Sequence, residues 1–456
     1  MSRPGVVCVL WLVCRMVSSA AGPDKTPAQV APVRELTIVG DRETRIDGKL
    51  TAQDPQHKGL GGKHYHLYEI KLSAGVHYKI DLISKTFDAF LRLEDETGKK
   101  LASDDDGGDR TDARIVFAPV KNAAYRIIAT TFDGKLGAYI LSVQLLNAEE
   151  STKYLQLAKA TQLLEAANDL GNKAKYAEAE PLARQSLAIR RKLLGNEAYA
   201  TGTSSTTLGL VLDARKKYRD AEPLHRQALA IYRKSLGDEH VEIAQAYANL
   251  ADNLSHQGRH REAEDFERRA LAIRRKSLGV EHLQTALSCH RLAFNLSEQG
   301  RHEDAGALLA EVLAIHRKKH GELHRETAAS YRDLGVNLDR RRKSRQAEEL
   351  YRKALDIRRK LFGEEHLQTA SSYQTLAGNL RRQARYQEAE QIDRKVLALY
   401  RKLRGEEHRD TASACKSLAL NLREQGHYSE AEQFDREALK IRRKVLGEDH
   451  PDTAWR

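Results

Sequence analysis

Three sets of residues in this chain have types and spacings that could do chemistry. Asp104, Asp105, Asp106 and Asp109 gather around Gly107 and Gly108. Carboxylate oxygens at that density suit calcium, which takes roughly six to eight oxygen ligands. The same Asp-Gly composition also makes a solvated hairpin turn with no ion. Asn253, Asn295, Asn337, Asn379 and Asn421 recur at one place in the first helix of five successive repeat units. A side-chain amide donates to and accepts from a peptide backbone at once, so such a row could hold a bound extended segment. It could equally be a satisfied ladder between neighbouring helices. Asn249, Arg291, Asp333 and Arg382 belong to the same face, vary along the chain, and are expected to set specificity for a partner.

The third set is histidine and cysteine. His240, His282, His324, His366, His408 and His450 each follow a glycine by three residues, so the imidazole is expected to cap or pack in a recurring loop. His256 with His260, and His316, His320 and His324, have i,i+4 spacing. Gly321 breaks the helix that would align the second group, and a metal needs several convergent ligands. Cys289 and Cys415 sit six helix spacings apart, at ~8–10 Å each, which excludes a disulfide within the chain and reads as buried packing. Basic triplets from Arg190-Arg191-Lys192 to Arg442-Arg443-Lys444 read as solvated helix ends; the functional alternative is a stripe for an acidic partner. No His-Glu-x-x-His, Gly-x-Ser-x-Gly, phosphate loop or dinucleotide fingerprint occurs, and no enzyme is expected.

The elements that position these residues follow from a fixed period. Gly195, Gly237, Gly279, Gly321, Gly363, Gly405 and Gly447 are separated by 42 residues at every step. Ala179 through Ala431 and Leu208 through Leu418 keep the same interval. A constant period in this range marks stacked helix pairs forming a solenoid. In the third unit, helix A is expected near Glu242–Gln257 and helix B near Arg261–Leu278. Leu250, Leu254, Phe266 and Leu271 fill the seam, with small Ala251 and Ala263 at the close approach. Gly279 is placed to end helix B, with Arg274-Arg275-Lys276 in its last turn.

Residues 33–146 instead alternate with period two, as in Tyr78-Lys79-Ile80-Asp81-Leu82 and Phe90-Leu91-Arg92-Leu93, and read as an antiparallel sandwich of about eight strands. Tyr65, Tyr68 and Tyr78 belong either to its core or to a sugar-binding face. Residues 22–32 form a Pro-containing lead, and a polar helical linker covers 147–159.

Two resemblances follow. Ala74-Gly75-Val76-His77-Tyr78, Phe87-Asp88-Ala89-Phe90, Asp104-Asp105-Asp106-Gly107-Gly108 and Gly137-Ala138-Tyr139 resemble the bacterial pre-peptidase C-terminal domain. That family is a jelly-roll-like β-sandwich appended to secreted proteins, and the resemblance implies polysaccharide, matrix or calcium contact. Asn122-Ala123-Ala124 departs from the family's glycine turn. From about 155 onward, Leu250-Ala251, Gly258, Ala263 and Ala270-Leu271 resemble the tetratricopeptide repeat, with cores near 160, 202, 244, 286, 328, 370 and 412. The eight extra residues per unit make it similar to the kinesin-light-chain type. The resemblance implies a right-handed all-α solenoid that binds protein or peptide segments in its groove.

Net charge is +12, yet 31% of residues are charged with both signs interleaved, which is not a nucleic-acid footprint. Arg3, the apolar run Val6–Val13 and Ser19-Ala20-Ala21 have the form of an export signal over residues 1–21. No later segment is apolar enough to span a membrane. The expectation is therefore a multidomain, exported protein of the bacterial periplasm, cell envelope or medium, with a β-sandwich followed by a helical interaction scaffold. Two rival readings are a matrix- or carbohydrate-targeting accessory of a secreted hydrolase, and the sensor half of a longer protein running on past the start of an eighth unit at Thr453-Ala454.

Overall fold

The computed structural model describes residues 32–38, 43–104 and 112–447. The export signal, nearly all of the lead, Asp105, Asp106, Asp109, His450 and the start of an eighth unit lie outside the described residues. The chain divides into two compact units, residues 1–235 and 236–456.

In the first unit, alternation of apolar and polar side chains builds two sheets. The strands are β1 (Val33–Leu36), β2 (Thr44–Leu50), β3 (Gln56–His57), β4 (Lys63–Leu72), β5 (Tyr78–Ile83), β6 (Ala89–Glu94), β7 (Lys100–Asp104), β8 (Ala113–Phe117), β9 (Ala123–Thr131) and β10 (Gly137–Leu145). One sheet has the order β1-β4-β9-β6-β7, with β3 on β4; the other runs β2-β10-β5-β8. Only β1 pairs in parallel, setting Leu36 beside Ile70 among the described strands. Ten strands replace the expected eight or so, because β1 and the two-residue β3 are too short to show alternation.

The core lies between the sheets, where Ile70, Ile80, Leu82, Leu91, Leu93, Ile127 and Leu141 are fully buried. Tyr65, Tyr68 and Tyr78 are buried too, so these rings are core and not a sugar-binding face. Tyr68 Oη and Tyr139 Oη lie 2.6 Å apart, and His66 bonds both Tyr139 and Asp54, the latter at 2.9 Å. This chain of polar groups satisfies hydroxyls that the packing has removed from water.

The helices of this unit begin at α1 (Ala148–Asn172), opened by a capping box in which Asn147 and Glu150 each accept the other's backbone N–H. The expected linker and the first repeat helix are this one continuous helix. Its Tyr154 ring lies under Lys79 and Arg114 of the sandwich, at 5.8 and 5.6 Å. There follow α2 (Tyr176–Leu194), α3 (Tyr199–Ala214) and α4 (Tyr218–Leu236).

The second unit holds α5 (Val241–His256), α6 (His260–Leu278), α7 (Leu283–Glu298), α8 (His302–His320), α9 (Arg325–Arg340), α10 (Ser344–Phe362), α11 (Leu367–Arg382), α12 (Tyr386–Arg404), α13 (Arg409–Glu424) and α14 (Tyr428–Leu446). They pack as consecutive pairs, and the bounds of α5 and α6 fall within a residue or two of those expected. Alanines at the crossings, such as Ala251 and Ala263, have no exposed surface, because only a methyl fits between the backbones there. The turn inside each pair needs one residue of left-handed backbone. Gly258, Gly300 and Gly426 supply it, but Arg342 and Ala384 adopt φ of 58° at the equivalent place.

Candidate functional site

Burial separates the faces of the first helix of each pair. In α7, Leu287, Arg291, Phe294 and Glu298 turn away from the core; in α9 the same places hold Ala329, Asp333, Val336 and Arg340. Spacing i, i+4, i+7, i+11 puts each set of four on one stripe. Phe294 is 57% exposed, Val336 36% and Leu420 43%, three apolar side chains at one repeat position with no core to join. The polar residues of the stripe pair between neighbouring helices. Arg291 meets Asp252 at 3.0 Å, Arg340 meets Glu298 at 3.3 Å, and Arg382 reaches Asp339 at 3.0 Å. Asp333 bonds His290 at 3.1 Å and Arg332 at 2.8 Å. Burial alone would raise the Asp333 carboxyl, but these two partners hold it below the usual range.

The asparagine row lies elsewhere. Asn253, Asn295, Asn337, Asn379 and Asn421 are at most 2% exposed. Asn379 Nδ2 donates to Asp339 Oδ1 at 2.8 Å and to Ser344 O at 2.9 Å, while its Oδ1 accepts from Gln383 at 2.8 Å. Asn337 and Asn421 donate in the same way to His302 O and Tyr386 O, and Asn295 to Ser255 Oγ. Asn249 is buried as well, accepting from Gln245 at 2.7 Å. A side chain this enclosed offers no surface to a bound segment. Asn295, Asn337, Asn379 and Asn421 join one repeat to another, while Asn249 and Asn253 accept from Gln245 and Gln257 of their own repeat; all six leave the partner-binding set expected from the sequence, and Arg291, Asp333 and Arg382 stay on the outer stripe with the apolar row. Phe294, Val336 and Leu420 escaped the sequence reading. Their signal was apolar character at a place the helical core pattern does not require.

The basic triplets are not simply solvated. Their first members Arg190, Arg274 and Arg358 are buried, and each donates to the serine fourteen residues on: Ser204 at 3.2 Å, Ser288 at 2.6 Å and Ser372 at 2.7 Å. Burial draws the Arg274 guanidinium down to about 10, still charged at neutral pH. Most third members are exposed and paired with the preceding loop, as Lys318 with Glu281 and Lys402 with Glu365, both at 2.6 Å, while Lys360 pairs with Asp356 of its own helix. Such pairs add little stability, but they cancel the field that an acidic partner would feel.

The second members follow a two-state code. Tyr331 and Tyr373 bond Glu322 and Glu364 of the preceding loop, with Lys353 and Lys395 against their rings. Where the tyrosine is replaced by Cys289 or Cys415, the cation becomes Glu311 or Glu437, and Arg275 or Arg401 reaches it at 2.7 or 2.6 Å. Both cysteines are buried, and burial pushes their thiols up to about 12. Thiols held protonated are poor nucleophiles.

A further pair of positions joins the two helices of a repeat, and its polarity varies between repeats. Tyr351 donates to Asp339, whereas Arg381 donates to Asp393 and Arg423 to Asp435. At this place α6 has Glu267, 2% exposed, opposite Ser255, whose hydroxyl already accepts from Asn295. One Glu267 oxygen has no hydrogen-bond partner, and burial pushes the carboxyl up to about 8.

The histidine ladder caps helices, as the spacing predicts. Nδ1 of His240, His282, His324, His366 and His408 accepts the backbone N–H two residues on. His320 and His324 stack at 4.2 Å. Among the described residues no group of three or more His, Cys, Asp or Glu side chains is arranged to hold a metal ion. Of the aspartate cluster only Asp104 is described; it accepts the Arg114 N–H at 2.8 Å. No described helix is long and apolar enough to cross a membrane.

Comparison with known proteins places this geometry. The tetratricopeptide repeat family model matches residues 158–234, 214–276, 282–360, 344–402 and 368–444. A crystal structure of a Podosopora anserina putative kinesin light chain with nearly identical TPR-like repeats is 27% identical. It covers 44% of this chain and 94% of its own, with a TM-score of 0.42. BtubC (BKLC) from P. vanneervenii is 22% identical over 52% of this chain and 92% of its own, also at 0.42. The pre-peptidase C-terminal domain of a Bacillus anthracis collagenase is 16% identical, covering 26% of this chain and all of its own, at 0.21. No curated protein matches the chain. With its family model spanning more than half of the sequence, this chain belongs to the tetratricopeptide repeat family, whose repeats generally serve as protein–protein interaction modules.

Proposed function

We propose that this protein is an exported interaction scaffold whose second unit binds an extended segment of a partner protein along the stripe of α7, α9, α11 and α13. The observation that carries the reading is the row Phe294, Val336 and Leu420. Apolar side chains exposed at a constant repeat position in α7, α9 and α13, with Gly378 at that position in α11, offer contacts spaced along a bound chain. Arg291, Asp333 and Arg382 flank them with charges of both signs, which orient a partner more than they tighten it. The β-sandwich serves as an auxiliary contact to envelope or matrix material, a role supported by the order of its motifs from Ala74 to Tyr139. Export is supported by the sequence of residues 1–21.

The test is affinity capture from an envelope extract with the full chain and with Phe294→Ser plus Val336→Ser. Both positions are exposed, so the melting temperature is expected to hold while capture of a defined protein drops by about tenfold or more. Undiminished capture by the double variant would remove the stripe from the binding surface.

A further inference from the structure

β1 lies at the edge of its sheet, is four residues long, and carries an arginine on the side that faces the core. Leu36 fills that core at 6% exposure, whereas Arg34, two residues earlier on the same side, meets polar groups. Its Nη1 is 3.0 Å from His66 Nδ1 and its Nη2 3.2 Å from His66 Nε2. The same guanidinium donates to Tyr68 Oη at 3.4 Å and lies 5.8 Å from the centre of the Tyr68 ring. His66 beneath it is only 5% exposed.

The neighbours of His66 differ in whether they can answer a change in its charge. Nε2 meets Asp54 Oδ1 at 2.9 Å, so the neutral ring carries its proton there and turns the Nδ1 lone pair toward Arg34 and Tyr139 Oη. A second proton, at Nδ1, makes the contact with Asp54 an ion pair. The Tyr139 hydroxyl can rotate to accept that proton's hydrogen bond and donate to Tyr68 Oη, 2.6 Å away. A guanidinium has donors alone, so Arg34 is left with N–H against N–H and cation against cation. Burial, and after it the Arg34 charge, hold the imidazole below its usual value against the opposing Asp54 bond, and at neutral pH the contact is made.

Two further sets of titratable groups lie close. His64, on the same strand, bonds the Asp54 carbonyl oxygen, and Glu35 stands opposite Glu69 across the β1–β4 ladder. Protonating a carboxylate lessens the repulsion between such a pair, so Glu35 and Glu69 cannot drive β1 away in acid.

We propose that β1 is an acid-released strap: protonation of His66 expels Arg34, withdraws Leu36 from the core and uncovers the edge of β4 from Leu67 to Ile70. The strap is short enough for one contact to decide its position, since Val33, Arg34 and Glu35 are exposed and Leu36 is its single buried residue. β4 itself stays in place, paired with β9 from Tyr65 to Leu72.

The experiment is hydrogen exchange read by mass spectrometry on the full chain at about pH 7.5 and pH 5, corrected for the intrinsic rate at each. Protection of residues 33–36 and 67–70 is expected to fall about tenfold or more in acid while β5 and β10 keep theirs. His66→Gln offers a carbonyl to Arg34 and an amide to Asp54 at either pH, so its β1 should stay closed. Arg34→Met, at an exposed position, should exchange faster than wild type at the higher pH and lose nothing more in acid. His64→Gln should keep the wild-type response. Circular dichroism melts at both pH values establish that each variant folds. Equal protection of β1 at the two pH values, or an acid response that survives in His66→Gln or Arg34→Met, would overturn the proposal. So would abolition of the response by His64→Gln, or loss of protection across both sheets together.

Discussion

Arg274 Nη1 donates to Ser288 Oγ at 2.6 Å, carrying a buried guanidinium from the end of α6 to α7. The partners change together along the chain. Arg190, Arg274 and Arg358 face serines, His316 bonds Ser330 at 2.8 Å, and Tyr400 has Ala414 at the same spacing. A long polar side chain thus meets a hydroxyl, and a bulky ring meets a methyl. Arg274→Ala should destabilise the chain by about 1–3 kcal/mol, since it strands the Ser288 and Gln245 oxygens. Arg274→Tyr with Ser288→Ala should recover most of that loss. Urea titrations of the two single variants and the double variant would measure the coupling.

Asn379 joins α11 to the pair before it through two hydrogen bonds, and accepts a third from Gln383 at the end of its own helix. Asn379→Ala leaves Ser344 O and Gln383 Nε2 without that partner, and a cost of about 1–3 kcal/mol is expected. The melting temperature should fall clearly, whereas a groove-lining amide would leave it nearly unchanged.

Glu267 makes stability fall with rising pH. Its carboxyl titrates near 8 in the fold against 4.5 when unfolded, because burial outweighs the nearby Arg291 and Arg274, with Asp252 adding to the rise. The folded chain then binds the extra proton between those values, so its contribution is complete below about pH 4.5 and lost as pH climbs through 8. Glu267→Gln should remove that slope and make the protein more stable than wild type above pH 8. The gain is a few kcal/mol, each tenfold change in proton affinity being worth ~1.4 kcal/mol. Melting curves across the range would show it.

His324 acts in the opposite sense. Burial, then the stacked His320 and Arg325, hold its imidazole below 6.5, with Glu326 opposing them. Neutral Nδ1 accepts the Glu326 N–H; protonated, it has no lone pair to accept with. Its stabilising effect is full above pH 6.5 and disappears as pH falls through the lower folded value. His324→Asn keeps an acceptor at the helix start at every pH. This variant should lose less thermal stability than wild type between about pH 7.5 and 5.

Ala384 adopts φ of 58° where three other repeats have Gly258, Gly300 and Gly426. Left-handed backbone costs a residue with a Cβ about 1–2 kcal/mol. Ala384→Gly is expected to raise stability by roughly 1 kcal/mol, less the added freedom of the unfolded chain. Thermal unfolding would register it as an upward shift.

The period made most of the fold legible. Once Gly237, Gly279 and their successors were aligned, helix bounds, crossing alanines and histidine caps followed, because each is a local requirement repeated without change. What repetition conceals is direction. The asparagines and Phe294 are neighbours in sequence, yet Asn295 is buried and Phe294 stands in solvent. A rotation of one residue about the helix axis separates them, and a count of 42 carries no information about it. Arg274 was hidden for a related reason. Two of three adjacent cations at a helix end reach water, and only packing against Ser288 shows that the first does not. The sandwich was read less fully, since β1 depends on a partner distant in sequence and β3 has only two residues.

The alternating code at Tyr373 and Cys415 bears on how the gene can change. Repeats of equal length invite unequal crossing-over, which removes or adds whole units without disturbing the reading frame. Excising one unit between α6 and α9 would present Arg275 with Lys353 and Tyr331 in place of Glu311 and Cys289. Arg317 already stands in that setting and pairs with Glu322 of the loop before α9, so Arg275 would find the same partner. From α7 on, each unit carries the carboxylate that meets the arginine of the helix before it, on its loop or on its second helix, so whole units can be lost or gained at this seam without stranding a charge.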